Sequence, residues 1–396
     1  MIYCHDLFGL GNVQRMLQYC HHLRVAFPGA GVLFVMGGSE ARLFSPPSGL
    51  DVVKLPEITR GAAGAIQARA LGGEVPRVLA LRRAILRECA TRFEPDLMVI
   101  DKKPRGAKGE LGETLAALPW RCARILVCRD ILDAPARTRR EMAESGFAEA
   151  LRAEIDQVQV LGERAVFDMA AAYGLPADIA PRLHYTGYIA PCETAAPREA
   201  VLAGLGFDPA QRLVFVTVGG GEDGEGVLDR ALTVAERGAV PAQMLLLTGP
   251  MLASEAYARI EARAAALPDV RLMRQSSDVT SLIAAADAVV SMAGYNSVCA
   301  ILAAGKPAVL LPRTEPSEEQ RVRAEMLRDR GLADALAPGA DADCLAHAIR
   351  RALTRPRPAA PGIRFDHAAT TQRIAEGVAA AMAARAATQH VNEGAA

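Results

Sequence analysis

The sequence predicts an α/β protein built from two doubly wound domains. Short β-branched runs alternate with longer helical patterns along the chain, which is typical of βα units and parallel sheets. The alternation breaks at residues 185–211, where Pro, Gly and Ala dominate, and it is interrupted again at 356–366. A chain of 396 residues is too long to fold around one hydrophobic core of ordinary size, which favours two domains of about 150–200 residues each.

The first half contains six strand candidates, at residues 2–6, 31–38, 51–56, 96–101, 123–130 and 157–162. Helical patterns follow the first and third of them, at 12–27 and 75–93. The Gly- and Ala-rich segment 59–74 has no clear period, and we predict a mobile loop there. The first strand is very short, which suggests a start upstream of Met1.

A second βα series starts after the break, with strand candidates at residues 212–221, 242–250, 270–275, 287–294 and 306–313. The acidic "DAD" at 341–343 predicts the start of a late helix. Residues 369–386 predict a closing helix. We therefore divide the chain into domains at 1–190 and 191–361, with 362–396 as a C-terminal helix that packs back on the first domain and then a tail.

Composition excludes several function classes. Lys plus Arg and Asp plus Glu balance at 45 each, so no global field attracts nucleic acid or anionic lipid. The apolar runs are far shorter than the roughly 20 residues that cross a bilayer, and no signal peptide precedes the first strand. Eight scattered cysteines show no metal-ligand spacing. We expect a cytoplasmic protein with no integral membrane segment, no nucleic-acid partner and no bound metal.

The most informative stretch is "SMAGYNS", residues 291–297, where a strand runs into a glycine turn and then a helix. Gly294 allows close approach of a ligand, and Asn296 or Ser297 can cap the helix. The N–H groups and dipole of a helix start favour a diphosphate. A well-capped βα turn without any ligand is the alternative.

Other strand ends of the same domain carry small or polar residues. "TVGGG" at 217–221 and "TGP" at 248–250 leave space for a ligand, and each signal is weak alone. In "PRTEPSEEQ", Ser317 and Gln320 have the spacing of a capping box. Arg313 could pair with phosphate, and Glu318 or Glu319 could accept hydrogen bonds from sugar hydroxyls.

These motifs resemble the donor half of GT-B glycosyltransferases, in particular family 28 and a group of predicted bacterial transferases. That group shows "GLGHxxR", "DKxPxG", "RDxLD" and "GYNTVCE". This chain has "GLGNVQR" at 9–15, "DKKPRG" at 101–106, "RDILD" at 129–133 and "GYNSVCA" at 294–300. The resemblance implies two Rossmann-like domains that face each other across a cleft.

The resemblance also implies a donor site. The nucleoside diphosphate would lie across the glycines and the helix start at 294–297, while Arg313, Glu319 and Gln320 would meet the phosphates or the donor sugar. The implied donor-binding residues are Gly219, Gly220, Gly221, Thr248, Gly249, Ser291, Gly294, Tyr295, Asn296, Ser297, Arg313, Glu319 and Gln320. Relatives carry Glu where Ala300 stands, and that Glu is expected to hold the ribose, so here another side chain would have to substitute.

The N-terminal loop "GLGNVQ" lacks the third glycine of a dinucleotide fingerprint, and the resemblance places it on the acceptor side. Relatives have His where Asn12 stands, and an amide cannot act as a base. The implied acceptor-side residues are His5, Gly9, Gly11, Asn12, Arg15 and Lys102. Lys102 could meet an acidic acceptor or the donor phosphates, and a solvated loop is the alternative.

Transfer to a hydroxyl needs a base near the attacking oxygen and stabilised charge on the leaving group. Asp6, at the end of the first strand, is the leading candidate for that base, and Asp130 at another strand end is the second. Asp6 could instead accept bonds from the glycine loop, and Asp130 could be a structural partner of Arg129 or Lys102.

We therefore expect a metal-independent glycosyltransferase without a cofactor, which moves a sugar from a nucleoside-diphosphate sugar, a UDP-sugar being favoured, to an unknown hydroxyl acceptor. A sugar-nucleotide 2-epimerase or hydrolase, and a GT-B binding protein that lost catalysis, are the alternatives. The apolar and basic segment 77–93 is compatible with peripheral membrane contact and also with a packed helix that has a charged face.

Overall fold

A computed structural model describes residues 1–4, 11–38, 49–60, 66–69, 71–72, 74–355 and 363–393. The chain forms two compact units. The N-terminal unit is Met1–Ile189 together with Phe365–Ala396, and the C-terminal unit is Ala190–Arg364. Each unit is an α/β layer structure around its own parallel sheet, as the alternation of short strands and helices predicts.

The N-terminal sheet contains seven parallel strands in the order β3-β2-β1-β6-β7-β8-β9. Their bounds are β1 Ile2–Tyr3, β2 Val32–Met36, β3 Leu50–Lys54, β6 Leu97–Asp101, β7 Ala123–Arg129, β8 Gln157–Leu161 and β9 Leu183–Tyr185. The six predicted strands are confirmed, while the edge strand β9 has no apolar run strong enough to be recognised in the sequence. The central strands are apolar throughout, because helices cover both faces of a parallel sheet.

The prediction of a loop over 59–74 is wrong for the part that the structure describes. Strands β4, Ile58–Arg60, and β5, Ile66–Ala68, pair as an antiparallel hairpin. Ile58 packs with Val78 and Leu79 of the following helix in a small apolar cluster. The hairpin is stabilised by this tertiary contact, which local composition does not reveal.

The helices of the N-terminal unit are α1 Gly11–Ala26, α2 Val75–Phe93, α3 Gly112–Ala117, α4 Pro135–Glu144, α5 Phe147–Glu154, α6 Met169–Tyr173 and the closing helix α14 His367–Glu393. The closing helix packs against α1, β7 and β8. Among the described residues, no helix is long and apolar enough to cross a membrane.

The C-terminal sheet contains six parallel strands in the order β12-β11-β10-β13-β14-β15. Their bounds are β10 Leu213–Thr217, β11 Gln243–Leu247, β12 Val270–Met273, β13 Ala288–Ser291, β14 Ala308–Leu310 and β15 Asp334–Ala335. The helices are α7 Arg198–Leu205, α8 Glu225–Glu236, α9 Ser254–Ala265, α10 Val279–Ala285, α11 Tyr295–Ala303, α12 Glu319–Asp329 and α13 Ala342–Thr354. Asp341 caps α13 through a bond from the Cys344 amide, which confirms the predicted helix start.

Counted within its own unit, the C-terminal strand order is 3-2-1-4-5-6, which is the doubly wound Rossmann arrangement. The order reverses between β10 and β13. Ligands of open α/β sheets bind outside the carboxyl ends of the strands at such a reversal. The fold therefore directs attention to the loops that follow β10 and β13.

Candidate functional site at the carboxyl edge of the C-terminal sheet

Four loops leave the C-terminal sheet at one level. Thr217 at the end of β10 is in register with Leu247 of β11 and with Ser291 of β13. Ser291 is in turn in register with Leu310 of β14. The loops 218–224, 248–253, 292–294 and 311–318 therefore start side by side at the same edge. This register brings the predicted donor-binding segments together.

The start of α11 lies in the middle of this edge. Gly294 is the N-cap residue with φ −62° and ψ 147°, and no N-cap side chain bonds to the helix. The prediction that Asn296 or Ser297 caps α11 is therefore wrong. Because the backbone turns at Gly294, both residues fall inside the first turn, where they are half-buried. A Cβ built on Gly294 would meet nothing within 4 Å, so the space beside this helix start is open.

The glycine loops after β10 and β11 differ from expectation. Gly221 (φ 98°) and Gly249 (φ 77°) face each other's loops, and a Cβ on either would overlap backbone atoms of the other loop. Their conformational freedom serves packing of the two loops, and their predicted contact with a donor stays a prediction. Gly219 (φ 65°) has open space around its Cβ position and stays a candidate ligand contact.

Small residues at the carboxyl ends of β11 and β13 are buried beneath these loops. Thr248 is fully buried, and its hydroxyl donates to the Gly249 carbonyl at 3.3 Å. The Gly220 carbonyl accepts from the Met251 amide at 2.9 Å. Ser291, at the end of β13, is also buried. Thr248 and Ser291 therefore pack beneath the loops at this edge. Their contacts with a ligand stay predictions.

Arg313, on the loop after β14, is paired with two carboxylates. Its Nη1 donates to Asp223 in the loop after β10, and its Nη2 lies 3.7 Å from Glu319 at the start of α12. Glu319 is nearly buried, while the Arg313 side chain is 24% exposed. The guanidinium thus links two of the four loops, and its charge is largely balanced by its own neighbours.

The predicted capping box of Ser317 and Gln320 does not form. Helix α12 begins at Glu319 with Glu318 as N-cap, too late in the chain for Ser317 to occupy the N-cap position. Instead, the Gln320 Oε1 accepts from the Arg313 amide at 3.1 Å. The Gln320 side chain closes the loop 313–320 and holds Arg313 next to α12.

Arg323, one turn further along α12, was missed by the sequence reasoning. Its Nη1 donates to the carbonyl of Ala293 at 3.0 Å, and its guanidinium lies 5.7 Å from the ring centroid of Tyr295. Arg323 and Tyr295 are both nearly fully buried. Ala293 has φ 65°, a left-handed conformation that is rare outside glycine.

In the N-terminal unit, the predicted residues His5, Asp6 and Gly9 lie outside the described residues. Gly11 and Asn12 begin α1. Arg15 lies in the second turn of α1, and its Nη2 donates to the Asp101 Oδ1 at 2.6 Å and to the Asn12 Oδ1 at 3.2 Å. The carboxylate at the end of β6 therefore braces α1 through an almost completely buried ion pair.

Two further N-terminal predictions concern Lys102 and Asp130. Lys102 directly follows β6, has φ 65° and is half-buried. Asp130 is 1% exposed, its Oδ1 accepts from the Ile131 amide at 2.7 Å, and its Oδ2 accepts from the Tyr188 hydroxyl at 2.7 Å. These contacts favour a structural role of Asp130, with the Ile131 amide and the Tyr188 hydroxyl among its partners.

Comparisons with known proteins point in one direction. Residues 213–360 match a family model described as the glycosyltransferase family 28 C-terminal domain. A UDP-N-acetylglucosamine--N-acetylmuramyl-(pentapeptide) pyrophosphoryl-undecaprenol N-acetylglucosamine transferase of Acidothermus cellulolyticus is 25% identical over 86% of this chain and 85% of its own length. The protein of the same name from Rubrobacter xylanophilus is 29% identical over 36% of this chain and 39% of its own length.

A similar structure is the glycosyltransferase SnogD from Streptomyces nogalater, with a TM-score of 0.56, 20% identity and 98% coverage of both chains. The chain is a glycosyltransferase of the GT-B fold, and its residues 213–360 are similar to family 28. The predicted fold class and enzyme class are thereby confirmed.

The structure of this glycosyltransferase adds three residues that the sequence analysis did not identify. Arg323 follows Glu319 and Gln320 by four and three residues, a helical spacing that places all three near one face of α12, and this signal was available in the sequence. Asp223 and Ala293 had no comparable signal. The partner of Asp223 lies 90 residues away in the chain, and an alanine gives no indication of a positive φ.

Proposed function

We propose that this glycosyltransferase binds a nucleoside-diphosphate sugar, with a UDP-sugar favoured, and transfers the sugar to a hydroxyl acceptor without a metal ion. The proposal depends on one observation, the register that starts four loops side by side at the carboxyl edge of the C-terminal sheet. The UDP-N-acetylglucosamine in the name of the relatives supports a uridine nucleotide.

The chemistry follows from the charges that develop during transfer. The departing nucleoside diphosphate gains negative charge, and the start of α11 offers backbone N–H groups and the positive end of a helix dipole beside open space. We assign the diphosphate to Gly294, Asn296 and Ser297. Because Asp223 and Glu319 already balance Arg313, we assign that guanidinium to holding the loops and not to direct phosphate binding.

A ligand test follows from the open space at Gly294. The backbone there is extended, so a valine fits without strain, yet its side chain would occupy the space assigned to the diphosphate. We expect UDP binding, measured by isothermal titration calorimetry, to fall by at least about tenfold in Gly294→Val, with only a small decrease in melting temperature because valine is a poorer N-cap residue than glycine. The control is Gly31→Val, at an exposed glycine of the N-terminal unit that also has no neighbour within 4 Å.

The proposal for the donor fails if none of the UDP-, GDP- or TDP-sugars in a panel raises the melting temperature of the parent protein, since a ligand that binds the folded state stabilises it. Product analysis with the donor alone then separates transfer from the alternatives. A 2-epimerase or hydrolase would turn over without an acceptor, whereas a transferase needs one.

The base that accepts the hydroxyl proton stays assigned to Asp6. Replacing it by Asn keeps the size and removes the proton acceptor, so we expect turnover to fall about 100-fold or more with UDP affinity unchanged. Undiminished turnover in Asp6→Asn would remove this assignment and leave the transferase proposal in place. The acceptor and a cytoplasmic location stay predictions.

A further inference from the structure

Arg323 connects the start of α11 with the first turns of α12, which are two parts of the candidate donor site. It is 2% exposed and reaches from α12 to the turn between β13 and α11. Its guanidinium donates to the Ala293 carbonyl on one side of Gly294 and lies on the Tyr295 ring on the other. Both contacts are made to buried groups, where a charged hydrogen bond and a cation–π contact are stronger than at the surface.

The turn that Arg323 contacts has an unfavourable backbone. Ala293 is fully buried with φ 65°, and an L-residue is strained in this region because its Cβ lies too close to the following carbonyl oxygen. Such a conformation persists only where its surroundings impose it. The bond from Arg323 to the Ala293 carbonyl is a contact of this kind, because it fixes the peptide that immediately precedes the helix start.

Helix α12 also contains two residues that are predicted to contact the donor. Glu319 and Gln320 form the first turn of α12, and Arg323 is in the second turn. A contact from Arg323 to the start of α11 therefore sets the distance between the helix start assigned to the diphosphate and the residues predicted to meet the donor sugar. Since a ligand that contacts both must find them already in place, this distance bears on affinity.

We propose that Arg323 is a positioning residue that holds Ala293 in its left-handed conformation and thereby fixes the start of α11 relative to α12. The consequence for affinity rests on the proposed donor site, whereas the fixed turn does not. Arg323 itself has no assigned contact with the donor. Its removal should loosen the 293–297 segment and weaken nucleotide binding through that loss of order.

The test compares Arg323→Met with Arg321→Met. Arg321 is on the same helix, but it pairs with Glu318 and Glu325 at the surface and has no contact with Ala293 in the structure. Hydrogen exchange by mass spectrometry on the ligand-free protein should show the amides of 293–299 exchanging about tenfold faster in Arg323→Met and unchanged in Arg321→Met. Unchanged exchange in Arg323→Met would overturn the proposal.

A rescue separates positioning from a general loss of stability. Glycine adopts a positive φ without penalty, so Ala293→Gly added to Arg323→Met should restore part of the protection of 293–299. Arg323→Lys keeps a charged donor without the planar fork and should fall between the parent and Arg323→Met. If Arg323→Met does not fold, the test uses Arg323→Lys and the double variant Arg323→Lys/Ala293→Gly. The expected result is then faster exchange of 293–299 in Arg323→Lys and parent-like exchange in the double variant. Parent-like exchange in Arg323→Lys alone would then overturn the proposal.

Nucleotide affinity provides the second measurement. The Kd for UDP should rise about tenfold in Arg323→Met and stay within about twofold of the parent in Arg321→Met. If the parent protein does not bind UDP while exchange at 293–299 still depends on Arg323, the preference for a uridine nucleotide is wrong and the positioning role stands. If the parent binds UDP and Arg323→Met binds it equally well, the donor proposal stands and the link from Arg323 to affinity is wrong.

Discussion

Two glycines that look alike in the sequence have different neighbours in the structure. Gly219 and Gly249 both have positive φ at the carboxyl edge of the C-terminal sheet. A Cβ on Gly249 would overlap the backbone of Gly219 and Gly220, whereas a Cβ on Gly219 would meet nothing within 4 Å. Gly249 is therefore constrained by both its conformation and its neighbours, whereas Gly219 is constrained by its conformation alone.

We therefore expect Gly249→Ala to destabilise the C-terminal unit by about 2 kcal/mol or more, since backbone atoms must move to accept the methyl group. Gly219→Ala should cost only the left-handed conformation, about 1 kcal/mol. Hydrogen exchange of the β10 and β11 amides measures both effects in the unit concerned. Equal losses in the two variants would contradict the assignment of Gly249 to loop packing.

In the closing helix α14, tertiary contacts favour glycine at a position where helix propensity alone favours alanine. Gly377 lies within α14, where alanine is ordinarily the better helix former. A Cβ there would lie 2.5 Å from the Gln159 Nε2 and 2.6 Å from the Gln157 Oε1. Gln159 cannot move cheaply, because it is fully buried and its Oε1 accepts from the Tyr19 hydroxyl at 2.7 Å.

Gly377→Ala is therefore expected to destabilise the N-terminal unit by about 1–3 kcal/mol. The matched control is Gly204→Ala in α7, where a Cβ meets nothing within 4 Å and should stabilise by about 0.5–1 kcal/mol. Urea unfolding followed by Trp120, the single tryptophan, reports on the N-terminal unit, and hydrogen exchange of the α7 amides reports on the control in the C-terminal unit. A stabilised Gly377→Ala variant would show that α14 does not approach β8 so closely.

The contact between α1 and α14 also predicts a dependence on pH. His22 is buried, its Nδ1 lies 2.7 Å from the Thr371 Oγ1, and its ring stacks on His367 at 5.7 Å. Burial, followed by the neighbouring His367 and His21, lowers the pKa of His22 from 6.5 to about 4. The unfolded chain therefore binds a proton more readily than the folded one, and stability contributed by neutral His22 is lost as the pH falls from 6.5 towards 4.

We expect this residue to remove about 2 kcal/mol from the free energy of unfolding between about pH 7 and about pH 5. In His22→Gln, that part of the pH dependence should disappear, although the variant starts from a lower stability. The measurement is urea unfolding at both pH values, again followed by Trp120. The same decrease in parent and variant would mean that His22 does not titrate as its burial indicates.

At the scale of the whole molecule, we propose that the transfer chemistry needs no metal ion. Asp223 and Glu319, two carboxylates near the candidate donor site, are both paired with Arg313, which offsets part of their charge. Helix dipole and backbone N–H groups are then the groups that stabilise the leaving diphosphate. We expect excess EDTA to leave turnover within about twofold. A loss of activity that Mg²⁺ or Mn²⁺ restores would contradict this.

Much of the fold could be predicted because parallel strands, buried on both faces, are continuous apolar runs separated by helical periods. Eleven of the strands in the structure come from such runs, six in the first half and five in the second. The strands that were missed, β9 and β15 at the sheet edges and the hairpin β4-β5, are only two or three residues long. Runs that short carry no usable period, and their pairing depends on neighbours distant in the chain.

The candidate site was predictable in position but not in detail. Chain order alone places glycines and polar residues at strand ends, and parallel pairing brings those ends to one edge, so the sequence by itself determined where a ligand could bind. Only the tertiary structure decided what each residue does there. Gly249 packs a loop, Gln320 closes one, Arg313 is balanced by Asp223, and Arg323 supports a strained Ala293. The physical reason is that close approach, charge balance and backbone strain arise between segments far apart in the chain, where local patterns carry no information.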